Sequence, residues 1–244
     1  MVEIKKPHVL TLHEVKDNEM GVKEWFMSFG ELLRINPTDE EFRKALNKDS
    51  PNSLWNKRPP ELLLLDYVPQ VWPHYETVGS HNYSVLMALN TDRPLLNETS
   101  YIKDRPDMIK VIRAAALLHD VGKLKDPANH KHPYESAQAV DDFLDYMKFN
   151  YREKKLCLFL IAHHDILGKA ANPKDTTEIG TVRKICKTRA ILQCLWILTV
   201  ADVSTIKGIM DNDQHVLERI DKIAKRIAKD IPKYNRNRYF LPTK

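Results

Sequence analysis

The sequence predicts an all-α protein. Apolar residues recur at the three- and four-residue spacing of helices over most of residues 62–231, whereas the strict alternation typical of strands is weak. The chain of 244 residues contains only 7 glycines, which argues against a loop-rich or all-β fold. With 43% hydrophobic and 29% charged residues, its composition is that of a soluble globular protein.

Residues 1–61 are predicted to form an N-terminal extension of helices and loops. Aromatic residues between positions 25 and 29 make one apolar patch in it. A short helix is predicted after Thr38, because a threonine followed three residues later by Glu41 has the pattern of a capping box.

Residues 62–212 are predicted to form the main helical domain, with its first helix beginning at the boundary. The predicted helices cover residues 61–69, 80–90, 105–120, 132–149, 152–165 and 187–208. Gly122 is interpreted as the stop signal of the third helix, and Pro133 suits the first turn of the fourth. The last helix is apolar nearly all round from Ile191 to Val200, so we expect it at the centre of the fold.

Residues 213–244 are predicted to contain a basic amphipathic helix that packs on this domain. Its apolar face consists of Val216, Ile220, Ile223, Ile227 and Ile231. Much of the net charge of +5 lies here, so binding to a membrane surface or a partner is the alternative interpretation.

Cellular location is indicated by several absences in the sequence. The three cysteines, Cys157, Cys186 and Cys194, have no CxxC spacing and are expected to be buried, reduced side chains. The N-terminus lacks the apolar segment of a signal peptide, and no apolar run reaches the ~20 residues of a membrane span. A cytoplasmic protein is predicted; the sequence does not indicate its oligomeric state.

Histidines and aspartates stand in an ordered series, one group to each predicted helix. The series is His81, then His119 and Asp120, then His132, then His163 and His164, and finally Asp202. Asp120 and Asp202 follow or interrupt strongly apolar runs, where an unpaired carboxylate would lose several kcal/mol of hydration. A shared divalent metal ion is the simplest compensation for both.

Imidazole and carboxylate ligands together suit Mn²⁺, Fe, Zn²⁺ or Ni²⁺ and argue against Ca²⁺, and the absence of thiolates weakens a structural zinc site. We therefore predict one or two ions of Mn, Fe, Mg, Ni or Zn, and no organic cofactor. Such a metal lowers the pKa of bound water and neutralises a phosphate oxygen, which suits phosphoester hydrolysis. Asp120 is predicted to be catalytic, and Lys123, just after it, is predicted to hold a phosphate oxygen.

The ordered series resembles the signature of the HD phosphohydrolase superfamily, with HDVGK at residues 119–123 as its central motif. Within it, the chain is most similar to the uridylyl-removing HD domain of bacterial PII uridylyltransferases. The segments that carry this similarity are DYVPQVW, YETVGSHNYSVL, AAALLHDVGK, HPYESA, LIAHHDILGKAANPKDTTEIGTV and LQCLWILTVADVSTIKG. At Gly79-Ser80 the chain departs from the Asp-Glu that precedes the first histidine there.

This resemblance implies an all-helical HD bundle with the metal site between its central helices. His81, His119, Asp120 and Asp202 would form the core site, and His132, His163 and His164 would serve a second metal or the phosphate. It implies hydrolysis of a nucleotide or a nucleotidylated protein.

Two other functions stay open at this stage. One is hydrolysis of free nucleotides, such as deoxynucleoside phosphates or guanosine alarmones. The other is a non-catalytic module that binds nucleotide or RNA; the basic tail supports it, but the complete set of candidate ligands counts against it. A cyclic-dinucleotide phosphodiesterase is disfavoured, since no Gly-Tyr-Pro follows His163 and His164.

Overall fold

The computed structural model describes residues 19–96, 100–172 and 177–232 and is all-helical over these ranges, as the sequence predicts. The α-helices are α1 (Glu19–Arg34), α2 (Asp39–Ala45), α3 (Pro60–Leu63), α4 (Val78–Ala88), α5 (Pro106–Leu118), α6 (His132–Ala139), α7 (Asp141–Tyr146), α8 (Tyr151–Ala162), α9 (Ile166–Ala170), α10 (Glu178–Ile185), α11 (Arg189–Thr205), α12 (Lys207–Asn212) and α13 (Val216–Asp230). Short 3-10 turns occur at Trp55–Lys57, Leu64–Tyr67 and Val121–Leu124. Within the described ranges no strand forms, and β pairing is limited to one isolated bridge between Pro69 and Thr77.

Helix α11 lies at the centre of the fold, which confirms the expectation from its apolar sequence. Every residue from Ile191 to Thr199 is buried. Helices α4, α5 and α13 pack against it from different sides. Its start is fixed by Thr188, whose hydroxyl accepts a hydrogen bond from the Ile191 amide at 3.2 Å.

Helix α5 ends at Leu118, two residues before the predicted end, and Gly122 is not its stop signal. Gly122 belongs to the 3-10 turn that follows and does not have a positive φ. Its amide donates to Ser136 Oγ at 2.8 Å, and a Cβ there would lie 2.7 Å from the His132 carbonyl oxygen and the Ser136 nitrogen. The glycine is therefore needed because α6 approaches this turn closely.

The stretch 132–149 forms two helices where the sequence predicted one. Pro133 lies in the first turn of α6, as predicted, but the chain breaks at Val140 (φ −101°, ψ 2°) before α7. After the break, Phe143 of α7 stacks on Phe26 of α1, with ring centroids 4.3 Å apart. We attribute the break to this tertiary contact, which the helical periodicity of the segment does not reveal.

The N-terminal extension contributes to the core over its described part, residues 19–61. The patch at positions 25–29 lies on α1, where Phe26 and Phe29 are fully buried. The predicted capping box is present at the start of α2: Glu41 accepts from the Thr38 amide at 2.8 Å. The domain boundaries at 61/62 and 212/213 remain predictions, and residues 1–18 lie outside the described ranges.

Helix α13 packs its apolar face on α9 and α11. Val216, Ile220 and Ile227 are buried and Ile223 is partly buried. Residues 233–244, the remainder of the predicted basic tail, lie outside the described ranges.

The three cysteines are buried, free thiols, and burial raises the pKa of each. None of the described helices combines the length and the apolar character needed to cross a membrane.

Replacing Gly122 by alanine should destabilise the protein by about 1–3 kcal/mol, because the new methyl group meets backbone atoms of α6. Urea denaturation measures the free energy of unfolding. Gly180→Ala is the matched control, since among the described residues no atom outside its own helix lies within 4 Å of a Cβ there; we expect a gain of about 0.5–1 kcal/mol there. Equal stabilities of the two variants would contradict the close-packing explanation.

Candidate metal centre

Five segments of the chain deliver the side chains of a buried cluster. His81 comes from the first turns of α4, Asp202 from α11, and His119 and Asp120 from the end of α5. His132 begins α6, and His164 follows α8. Among the described residues these six form three overlapping groups, and within each group the candidate ligand atoms lie within 4.8 Å of one another.

Asp120 lies at the middle of the cluster, and its two carboxylate oxygens face different imidazoles. Oδ2 is 3.6 Å from His119 Nε2 and 3.8 Å from His81 Nε2. Oδ1 is 3.2 Å from His132 Nε2 and 3.7 Å from His164 Nε2. A carboxylate placed in this way can bridge two neighbouring cation positions.

Asp202 closes the side of the cluster shared by His81 and His119. Its Oδ1 is 2.9 Å from His81 Nε2 and 3.9 Å from His119 Nε2. Both carboxylates therefore face His81 and His119. Asp202 also forms a group with His119 and His164 within 4.8 Å, and Asp120 contacts His132 as well.

The histidine rings are oriented by hydrogen bonds from their other nitrogen. Nδ1 of His119, His132 and His164 faces the backbone carbonyl three residues earlier, at 3.0, 2.8 and 2.8 Å. Donation from Nδ1 leaves a lone pair on each Nε2, directed into the cluster. His81 is held similarly, with Nδ1 3.2 Å from Glu76 Oε1.

The donor set fits a divalent metal. In the described part of the chain, Nε2 of His119, Nε2 of His132 and Oδ1 of Asp120 are buried without a hydrogen-bond partner. A buried acceptor left in this state costs about 1–3 kcal/mol. A cation among these lone pairs would satisfy all three, and neutral imidazole with carboxylate is a suitable ligand set for a transition metal.

The pKa values favour the ligating forms of His119 and the two aspartates. Burial lowers the pKa of His119 to about 3, which keeps its imidazole neutral. Burial raises the pKa of Asp120, but His119 and Lys123 outweigh it, so the pKa lies well below its ordinary value. The pKa of Asp202 is also lowered, because His81 outweighs burial. For His81 the hydrogen bonds to Asp202 and Glu76 outweigh burial and raise the pKa to about 9.

Lys123 is buried beside Asp120. The 3-10 turn after Asp120 brings the lysine back over the carboxylate, and Nζ donates to Asp120 Oδ2 at 2.6 Å and to Gln70 Oε1 at 2.7 Å. Lys123, which the sequence predicted to hold a phosphate oxygen, thus lies at the candidate metal centre and also contacts the loop that precedes α4.

His163, in contrast to His164, is not part of the described cluster. Its ring centroid lies 4.8 Å from Phe159 and 6.0 Å from Tyr134. Consecutive side chains at the end of a helix point about 100° apart, so only one of the two histidines can face Asp120. The sequence pattern did not distinguish them.

Sequence reasoning missed three polar residues of one loop. Residues 69–77, which we call the aromatic loop, join Leu64–Tyr67 to α4 and contain Gln70, His74 and Glu76. The His74 ring packs edge-on against the His81 ring, with 4.7 Å between the ring centroids. Burial, and to a smaller extent the charge of Lys123, lowers the pKa of His74 to about 4. Only the resemblance of DYVPQVW and YETVGSHNYSVL to related segments pointed to this loop, since it has no periodic pattern.

The glycine at position 79, where the sequence departs from the Asp-Glu pair of the domain that it resembles, has a steric explanation. A Cβ on Gly79 would collide with the carboxylate of Asp66 and would lie 2.8 Å from the Asp66 backbone nitrogen. That carboxylate is held by Arg58, whose Nη2 donates to Asp66 Oδ2 at 2.8 Å.

The sequence matches the HD domain family over residues 82–205, slightly more than half of the chain. The chain therefore belongs to the HD-domain family, as the motif HDVGK indicated. His81 lies one residue before the matched region, and His119, Asp120, His132, His164 and Asp202 lie inside it.

A curated relative agrees with this assignment. The chain is 26% identical over 141 residues to the bifunctional uridylyltransferase/uridylyl-removing enzyme of Methylococcus capsulatus. The match covers 53% of this chain but only 15% of the relative. HD domains bind divalent metals, and membership of the family suggests a metal-dependent phosphohydrolase.

The two adjacent histidines provide a matched test of the centre. His164→Gln should lower the affinity for Mn²⁺ at least tenfold, because it removes a nitrogen directed at Asp120. His163→Gln should leave the affinity within twofold of the original protein. Calorimetric titration with Mn²⁺ measures both; equal losses in the two variants would show that the cluster as described is not the binding site.

Proposed function

We propose that the protein is a metal-dependent phosphohydrolase that cleaves a phosphoester of a nucleotide or a nucleotidyl group. The observation that carries the proposal is the position of Asp120, with one pair of imidazole nitrogens facing each of its carboxylate oxygens at 3.2–3.8 Å. Family membership gives independent support for the reaction class.

A bound divalent metal supplies Lewis acidity: it lowers the pKa of water and neutralises charge on a phosphate oxygen. Asp120 and Asp202 would supply the negative charge that retains such a metal, and the four imidazoles would supply its nitrogen ligands. Backbone carbonyls hold the rings of His119, His132 and His164, and Glu76 holds that of His81, so the rings are expected to keep their orientation when substrate binds.

Lys123 is proposed to hold a non-bridging phosphate oxygen. An ammonium group has three protons, and the described contacts of Nζ to Asp120 and Gln70 account for two of them. The third is available for an anionic oxygen, and the positive charge beside the reacting phosphate stabilises the charge that develops there.

Substrate is expected to enter on the side of His132. The side chains of His81, His119, Asp120 and His164 are at most 3% exposed, whereas that of His132 is 15% exposed. The side chains of Asp202 and Lys123 are 9% and 7% exposed, so His132 marks the most open side of the centre, where a phosphate is expected to reach Asp120 with the least rearrangement.

A nucleotide or nucleotidylated protein is our preferred substrate class, because the sequence segments around the centre resemble a uridylyl-removing domain. Hydrolysis of free nucleotides uses the same centre and would be distinguished by a substrate panel. A non-catalytic RNA-binding module is less well supported, since it does not require the complete donor set around Asp120.

Asp120→Asn should abolish metal retention and lower hydrolysis of bis(p-nitrophenyl) phosphate by about 10³-fold or more, because it removes the charge shared by both ligand pairs. Elemental analysis and nitrophenolate release measure the two effects. Asp49→Asn, at an exposed aspartate in the turn after α2 that belongs to no described group of candidate ligands, is the control and should change neither. Turnover by the Asp120 variant at the original rate would refute the proposed function.

Removing the Lys123 charge should separate catalysis from metal binding. In Lys123→Met we expect a loss of about 10²-fold in kcat/KM, with metal content retained because the carboxylates stay charged. Steady-state kinetics with Mn²⁺ and metal analysis test this. An unchanged kcat/KM would mean that Lys123 only anchors the aromatic loop.

A further inference from the structure

The region around the aromatic loop exposes large apolar side chains beside the candidate metal centre. Trp72 is 70% exposed and Tyr75 is 68% exposed, with Val71 at 50% and Tyr67, just before the loop, at 81%. The other three tryptophans of the chain are at most 5% exposed. Exposed aromatic side chains grouped in this way mark binding surfaces more often than they serve folding.

The loop is joined directly to residues of the centre. Gln70 accepts from Lys123, His74 packs on His81, and Glu76 faces His81 Nδ1. Trp72 is two residues from both Gln70 and His74, so its Cα lies within about 7 Å of each of their Cα atoms. The exposed aromatic residues are therefore neighbours of the metal centre in space as well as in sequence.

The base of the loop is fixed by backbone contacts. Pro69 and Thr77 form the isolated bridge, and the Val78 amide donates to the Val68 carbonyl at 3.0 Å. On the far side the Gly208 amide donates to the Pro73 carbonyl at 3.1 Å. Gly208 lies so close to Pro73 that a Cβ would overlap it. The backbone that carries Trp72 and Tyr75, on either side of Pro73, is thus held in place by these contacts.

The size of this surface indicates a small planar ligand. A stable protein interface buries roughly 800 Å² on each partner and takes about 20–30 residues. The exposed large apolar side chains between residues 63 and 77 are far fewer: Leu63, Leu64, Tyr67, Val71, Trp72 and Tyr75. A planar heterocycle needs only one or two aromatic faces, and such stacking tolerates any base. In a nucleotide, the base is one ribose away from the phosphorus, which matches a loop adjacent to a phosphate-binding centre.

We propose that Trp72 and Tyr75 form a stacking platform for the nucleobase of the substrate whose phosphate lies at Asp120. This inference rests on the proposed function and specifies its substrate class: an ester bearing a nucleoside, rather than any phosphoester. Base stacking on an aromatic side chain strengthens binding about 10- to 100-fold.

Two esters with the same leaving group test the platform. The p-nitrophenyl ester of thymidine monophosphate carries a base, and methyl p-nitrophenyl phosphate does not. With the Mn²⁺-loaded full chain we expect the ratio of their kcat/KM values to favour the thymidine ester and to fall about tenfold in Trp72→Ala, chiefly through KM. Trp72→Phe should restore most of the ratio, and Tyr151→Ala, an equally exposed aromatic residue at the start of α8, should leave it unchanged.

A binding measurement gives a readout independent of turnover. Because Trp72 is the one strongly exposed tryptophan of the four, thymidine monophosphate should quench the long-wavelength part of the tryptophan emission. Trp72→Phe should remove this quenching, and methyl phosphate should not produce it in the original protein.

The outcomes separate this inference from the proposed function. If neither ester is hydrolysed, the proposed function fails, and the fluorescence titration still decides whether the loop binds a base. If both esters are hydrolysed with a ratio near one, or if Trp72→Ala leaves the ratio unchanged, the platform is refuted while the hydrolase stands. Absence of quenching by thymidine monophosphate also refutes the platform and leaves a protein-docking loop as the alternative.

Discussion

The burial of the Asp120 carboxylate is the constraint on which the arrangement of the fold depends. Removing a carboxylate from water costs several kcal/mol unless partners compensate it. Here the partners come from the start of α4, the start of α6, the end of α8 and the turn that carries Lys123. The helices must therefore be placed so that their ends surround Asp120 while their apolar faces pack against one another. The close approach of α6 at Gly122 is one result.

The sequence predicted much of this arrangement for identifiable physical reasons. A long apolar segment has to be central, so the apolar pattern alone was enough to place α11 and its Asp202. A charged residue in such a segment needs partners that compensate its lost hydration. This requirement linked Asp202 with the histidines at other helix ends. The capping box of Thr38 was predictable because it depends on residues three positions apart.

The remainder depends on contacts between distant segments, which local patterns do not encode. Whether His163 or His164 faces Asp120 depends on where α8 ends, and helix ends vary by a residue or two for the same apolar pattern. The break at Val140 accompanies the stacking of Phe143 on Phe26, more than a hundred residues away in sequence. The aromatic loop is irregular and is held by tertiary contacts, so Gln70, His74 and Glu76 gave no periodic signal.

The position of Gly79 has a consequence for how sequences of this type can vary. The Asp66 carboxylate, fixed by Arg58, and the Asp66 backbone nitrogen both occupy the space where a side chain at position 79 would begin. A smaller side chain at position 66 would remove only the first of these two contacts. Chains that share this backbone should therefore keep glycine at position 79 whatever residue stands at 66, and a chain with a side chain at 79 has to hold the segment before α4 farther from this helix.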